Sequence, residues 1–145
     1  MQRFILFGMG CLFACGMPGC SDKGDRPEIG YVSGNVTLDG QPLVGAAVNF
    51  QPDSGRAASG MTDKTGDYVL EHAYKVNGAK VGPNKVYFDY PTGFPATVPI
   101  PSQYSGQLSS LKEDVQAGTN KFDFHLESSG SGDKPAAKKA VAPVD

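Results

Sequence analysis

The stretch VSGNVTLDGQPLVGAAVNFQPD, Val32–Asp53, continued by SGMTDKTGDYVL, Ser59–Leu70, decides how this chain folds. Its apolar side chains recur every second residue, the period of a strand with one buried face. In the run Tyr31–Leu38, Val32, Val36 and Leu38 share one face while Asn35 and Thr37 share the other. Asp39-Gly40 is a two-residue turn signal, because both residues tolerate positive φ. After the brief extended piece Pro42-Leu43, the run Ala46–Gln51 turns Ala46, Val48 and Phe50 inward. The loop Pro52–Gly55 leads to a weaker, small-residue strand at Ala57–Thr62. Asp63-Lys64-Thr65-Gly66 then turns the chain into Tyr68-Val69-Leu70, with Tyr68 and Leu70 inward.

The same reading extends outward. Ala73–Asn84 is a looser connection carrying Gly78, Gly82 and Pro83, and Lys85–Tyr90 is a strand with Val86, Phe88 and Tyr90 on one face. Pro91–Ser105 holds Pro91, Pro95, Pro99 and Pro101 and cannot be a central strand, since proline has no ladder donor. Leu111–Gln116 is a modest strand, Gly118-Thr119-Asn120 a turn. Lys121–Glu127 closes the unit, with Phe122, Phe124 and Leu126 inward and Asp123, His125 and Glu127 outward. About seven short strands in residues 30–127 predict an all-β, immunoglobulin-like sandwich.

The chain has 145 residues, 19 of them glycine and 11 proline, with a formal net charge of −2. That is enough for one core. The near-neutral charge argues against a nucleic-acid partner, because phosphate binding needs clustered lysine and arginine. All three cysteines, Cys11, Cys15 and Cys20, fall in the first twenty residues. Arg3 precedes an uncharged run from Phe4 to Met17, too short to span a bilayer, which takes about 20 apolar residues. It fits the apolar region of an export signal.

Met17-Pro18-Gly19-Cys20, followed by the polar Ser21-Asp22-Lys23, resembles a bacterial lipobox, in which the cysteine is lipidated and becomes the first mature residue. Leu12-Phe13-Ala14-Cys15 is a rival with the better leucine and alanine, but only Cys20 is followed at once by a hydrophilic stretch. The resulting organisation is a signal over residues 1–19, a tether over 20–29, the sandwich over 30–127 and a disordered tail over 128–145. The tail, SSGSGDKPAAKKAVAPVD, has too little to bury to offset its ordering entropy. The expected location is the cell envelope, exported and lipid-anchored to a membrane.

Gly34-Asn35-Val36, Asp39-Gly40-Gln41-Pro42-Leu43, Gly45-Ala46-Ala47-Val48 and Thr62-Asp63-Lys64-Thr65-Gly66-Asp67-Tyr68 together resemble the bacterial carboxypeptidase regulatory-like domain, a transthyretin-like (prealbumin-like) seven-stranded sandwich. The motifs behind the resemblance are turns and core positions. They imply a fold and no catalytic activity, since in the resembled carboxypeptidases this domain sits beside the zinc enzyme.

Chemistry-bearing residues are few. A catalytic zinc takes three protein ligands, and neither of the two histidines sits in a His-Glu-x-x-His or His-x-x-Glu motif. His125, flanked by Asp123 and Glu127, offers a weak metal patch whose plainer reading is an exposed charged strand face. His72 beside Glu71 reads as a surface histidine. Asp63 and Asp67 approach each other across a turn, but without the Asp-x-Asp-x-Asp-Gly spacing of a calcium loop. The expectation is therefore no cofactor, no metal and no enzyme. Tyr87, opposite in phase to Val86 and Phe88, together with Phe94 and Tyr104 in the proline-rich loop, are the candidate binding surface for a protein or a glycan, because aromatic rings stack on sugars and anchor partners. A structural spacer or subunit of an envelope complex is the alternative role.

Overall fold

The computed structural model describes residues 26–128. The signal, Cys15, Cys20, most of the tether, and the tail past Ser128 lie outside the described residues. Twelve strand segments follow one another: β1 Ile29–Leu38, β2 Gln41–Pro42, β3 Ala47–Pro52, β4 Ala58–Met61, β5 Asp67–Val69, β6 Glu71–Ala73, β7 Val76–Asn77, β8 Ala79–Lys80, β9 Gly82–Asp89, β10 Lys112–Val115, β11 Thr119–Lys121 and β12 Phe124–Leu126. They build two sheets. In the first, β1 collects β2, β5, β8, β11 and β12; in the second the order is β10-β9-β3-β4-β6-β7.

The core lies between the sheets. Val32, Val36, Tyr68, Phe122, Phe124 and Leu126 from the first face Val48, Phe50, Ala58, Val86, Phe88 and Val115 from the second, all buried. Rings join the layers: Phe124 meets Phe88 edge-on at 5.4 Å and Phe50 at 6.3 Å, and Phe50 also meets Phe122 at 5.8 Å. Such offset and edge contacts suit the ring quadrupoles. The period-two reading of the sequence thus holds in β1, β3, β5 and β9, whose inward residues are those expected.

Two expectations need correcting. The connection Ala73–Asn84 is not loose: it contains β7 and β8, and β9 begins three residues early, at Gly82. β8 pairs with the start of β1, Ile29 opposite Lys80. Asn84 is buried, its amide donating to the Lys80 and Gly82 carbonyls at 2.9 and 2.8 Å. The closing run Lys121–Glu127 is not one strand but two pieces. Between them Asp123 Oδ1 accepts the Asn35 N–H at 2.9 Å, and the Phe122 carbonyl accepts the Tyr68 hydroxyl at 2.8 Å, so side chains substitute for ladder bonds. Both pieces run parallel to β1, Tyr31 opposite Thr119 and Val36 opposite Phe124. The described residues hold twelve strand segments, five of them short partners sharing the one long strand β1.

The proline-rich stretch forms no strand, as expected. It crosses one end of the sandwich, where the Tyr90 hydroxyl donates to the Val98 carbonyl at 2.8 Å and Thr97 Oγ1 donates to the Val44 carbonyl at 3.0 Å. A 3-10 turn at Ser102–Tyr104 then returns Tyr104 to the core.

Candidate functional site: the outer face of the second sheet

Alternation has a second consequence. Each inward residue of β3, β4 and β9 leaves an outward neighbour, and the register aligns these neighbours across strands. Tyr87 lies opposite Asn49, Asn49 opposite Ser59, and Ser59 opposite Glu71. The next row sets Asp89 opposite Ala47 and Ala47 opposite Met61. Asn49 Nδ2 donates to Asp89 Oδ1 at 3.3 Å, tying the two rows. A shallow groove runs over this face, floored by Asn49 and Ser59 and rimmed by Met61, Glu71, Asp89 and Pro91. Tyr87 is half-buried on the same face, next to the groove and not part of its lining.

The three aromatic residues singled out from the sequence do not gather. Tyr87 stands on this sheet face. Phe94 is 60% exposed in the proline-rich crossing. Tyr104 requires correction: it is 6% exposed and packs in the core, with its hydroxyl accepting from the Glu127 N–H at 3.4 Å, so it offers no ring to a ligand. The polar partners of Tyr87 escaped the sequence reading. Asn49, Ser59, Glu71 and Asp89 are ordinary surface residues until cross-strand register sets them side by side.

Several of the other titratable groups are occupied locally. Asp63 Oδ1 accepts the Thr65 N–H at 2.8 Å and the Asp67 N–H at 3.0 Å, and the Thr65 hydroxyl lies 2.7 Å from Asp63 and 2.8 Å from Asp67. These bonds, the Thr65 hydroxyl foremost, hold the Asp63 carboxyl below its ordinary value. The carboxylates thus close a hairpin, with Gly66 at φ 81 completing the turn. Ser128 lowers Asp39 in the same way, through its hydroxyl and its N–H. His125 Nδ1 lies 2.9 Å from Thr37 Oγ1, and Asp123 is engaged by Asn35 and lies 3.8 Å from Lys121. His72 is partly covered, its Nδ1 buried without a hydrogen-bond partner among the described residues. Among the described residues no three His, Cys, Asp or Glu side chains gather as a metal site. Likewise, no helix among them is long and apolar enough to cross a membrane.

Comparison with known proteins returns nothing: no family model, no curated protein and no solved structure matches this chain.

Proposed function

We propose that this chain is a non-catalytic envelope lipoprotein, anchored through a lipid on Cys20, whose sandwich is a binding module for a protein or a glycan. The observation that supports the module is the outer row Tyr87–Asn49–Ser59–Glu71 with Asp89 beside it. A ring, an amide, a hydroxyl and two carboxylates on one open face match a ligand rich in hydroxyls or amides, offering a stacking surface and both donors and acceptors. On this reading the twelve segments group into the seven strands of a transthyretin-like, carboxypeptidase regulatory-like sandwich. The motifs quoted for that resemblance coincide with the turns at Asp39-Gly40 and Gly66.

A second role, that of spacer, is favoured by a separate observation. Because β12 runs parallel to β1, the described chain enters at one end of the sandwich and leaves at the other. The ten residues of β1 span about 33 Å at ~3.3 Å per residue. Screening the purified full chain against envelope glycans and against detergent-extracted envelope proteins separates the two roles. For the binding module, a captured ligand should be lost with Tyr87→Ala while the melting temperature holds. Capture unaffected by Tyr87→Ala and by Asn49→Ala removes this face as the site. No capture of any kind leaves the spacer.

A further inference from the structure

The end of the sandwich at which the chain enters carries a projection that the fold does not use. β5 runs antiparallel to β1, towards its start, with Val69 opposite Ser33 and the Leu70 N–H donating to the Val32 carbonyl at 3.0 Å. β6 continues in that direction, and Ala73 pairs with Val76 across a two-residue tip, Tyr74-Lys75. The chain then returns through β8 to Ile29, so the tip stands at the N-terminal end of β1. Tyr74 is 82% exposed, more than any other large hydrophobic side chain among the described residues. The Lys75 ammonium lies 5.0 Å from the centre of its ring, and Lys75 sits at φ 61 to make the turn.

Charge is polarised along the same axis. The entry end holds Arg26, Arg56, Lys75 and Lys80 against Glu28, Asp53, Glu113 and Asp114, the last two placed there by their pairing with Asn84 and Pro83, and is balanced; Lys80 Nζ reaches the Ser54 carbonyl at 3.0 Å, joining the β3–β4 loop to this end. The opposite end holds Asp39, Asp63, Asp67, Asp89 and Glu127 against Lys64. A tyrosine ring with a lysine beside it suits the headgroup layer, where the ring spans apolar and wet regions and the ammonium reaches water and phosphate. Anionic headgroups repel the acidic end and, at the balanced one, draw in the Lys75 ammonium at the tip.

We infer that the Tyr74-Lys75 hairpin tip is a membrane contact, which stands the sandwich on an anionic lipid surface with the end that receives the chain from Cys20 facing down. This orientation rests on lipidation at Cys20: the nine residues from Cys20 to Ile29 reach at most about 32 Å when extended, so the lipid keeps this end near the bilayer. The contact also orients the Tyr87 face sideways, clear of the lipid.

The chain contains no tryptophan, so a single one reports its own surroundings. The full chain, extracted from membranes and reconstituted in brominated phosphatidylglycerol and phosphatidylethanolamine vesicles, is compared as Tyr74→Trp and as Phe94→Trp, the latter marking the proline-rich crossing. Tyr74→Trp emission should shift to the blue and be quenched several-fold more than Phe94→Trp, less so when phosphatidylcholine replaces phosphatidylglycerol. Equal quenching at the two positions overturns the proposal. So does a blue shift without quenching, which would place a protein on the tip. Intact mass of the same sample reads the anchor separately. An acylated chain with no quenching at Tyr74 removes this contact alone. An unacylated chain that is quenched there removes the lipid and keeps the contact.

Discussion

Tyr68 serves both the packing of the core and its hydrogen bonding. Its ring stacks near Phe124 at 6.5 Å while its hydroxyl serves the Phe122 carbonyl, where the ladder is interrupted. Burial, with Asp123 and Glu113 adding negative potential, raises the phenol well above its ordinary value. The folded state therefore holds the proton after the unfolded chain has released it. Stability from this group is complete below the unfolded value, about 10, and falls as pH rises above it. Tyr68→Phe should flatten that alkaline decline. It should also cost about 1–2 kcal/mol at neutral pH, because the Phe122 carbonyl loses its donor. Thermal melts of the two proteins from neutral to alkaline pH check both outcomes. Asp63 works in the opposite direction. Its folded value is depressed, so its contribution is present above the unfolded value and disappears as pH falls through the folded one. Asp63→Asn should lower the melting temperature at neutral pH and show a shallower loss between about pH 5 and pH 2.

At the scale of elements, β1 is the organising strand because five segments pair along its ten residues. That sharing demands close approach. A Cβ on Gly34 would collide with the Phe122 carbonyl, a backbone atom that cannot swing away. Gly34→Ala should therefore separate β1 from the chain between β11 and β12 and cost about 3 kcal/mol, in the range of overpacked cores. Chemical denaturation should show the lower midpoint with an unchanged slope if the fold survives. Gly40, with nothing near its Cβ position, is held for its φ of 79 alone, and substitution there meets no neighbour.

For the molecule as a whole, parallel pairing of the first and last strands sets the two described termini at opposite ends, one balanced in charge and one acidic. An anchor at the N-terminal side would then hold the acidic end of the sandwich outward. Cys20→Ala should move the protein from the membrane fraction to the soluble fraction, whereas Cys15→Ala should leave it bound. Release by Cys15→Ala alone would transfer the lipid to that residue. Fractionation followed by immunoblotting reads either result.

Much of the fold was legible because it depends on local rules. Alternation in β1, β3 and β9 needs only the period of an extended chain, and the turns at Asp39-Gly40 and Gly66 need only residues that accept positive φ. The short segment β8, the break at Phe122-Asp123 and the burial of Tyr104 were not legible. Each is held by groups far away in the chain: Ile29 for β8, Asn35 and Tyr68 for the break, Glu127 for Tyr104. The candidate site divides along the same line. Tyr87 stood out by its phase against Val86 and Phe88, since phase is a property of one strand. Its neighbours Asn49, Ser59, Glu71 and Asp89 became a surface only through register between strands, which no single segment encodes. The sequence alone therefore determined which strand residues alternate inward and where the chain turns at Asp39-Gly40 and Gly66. The tertiary structure decided which outward residues stand together, because neighbours across a sheet are chosen by packing of the whole core.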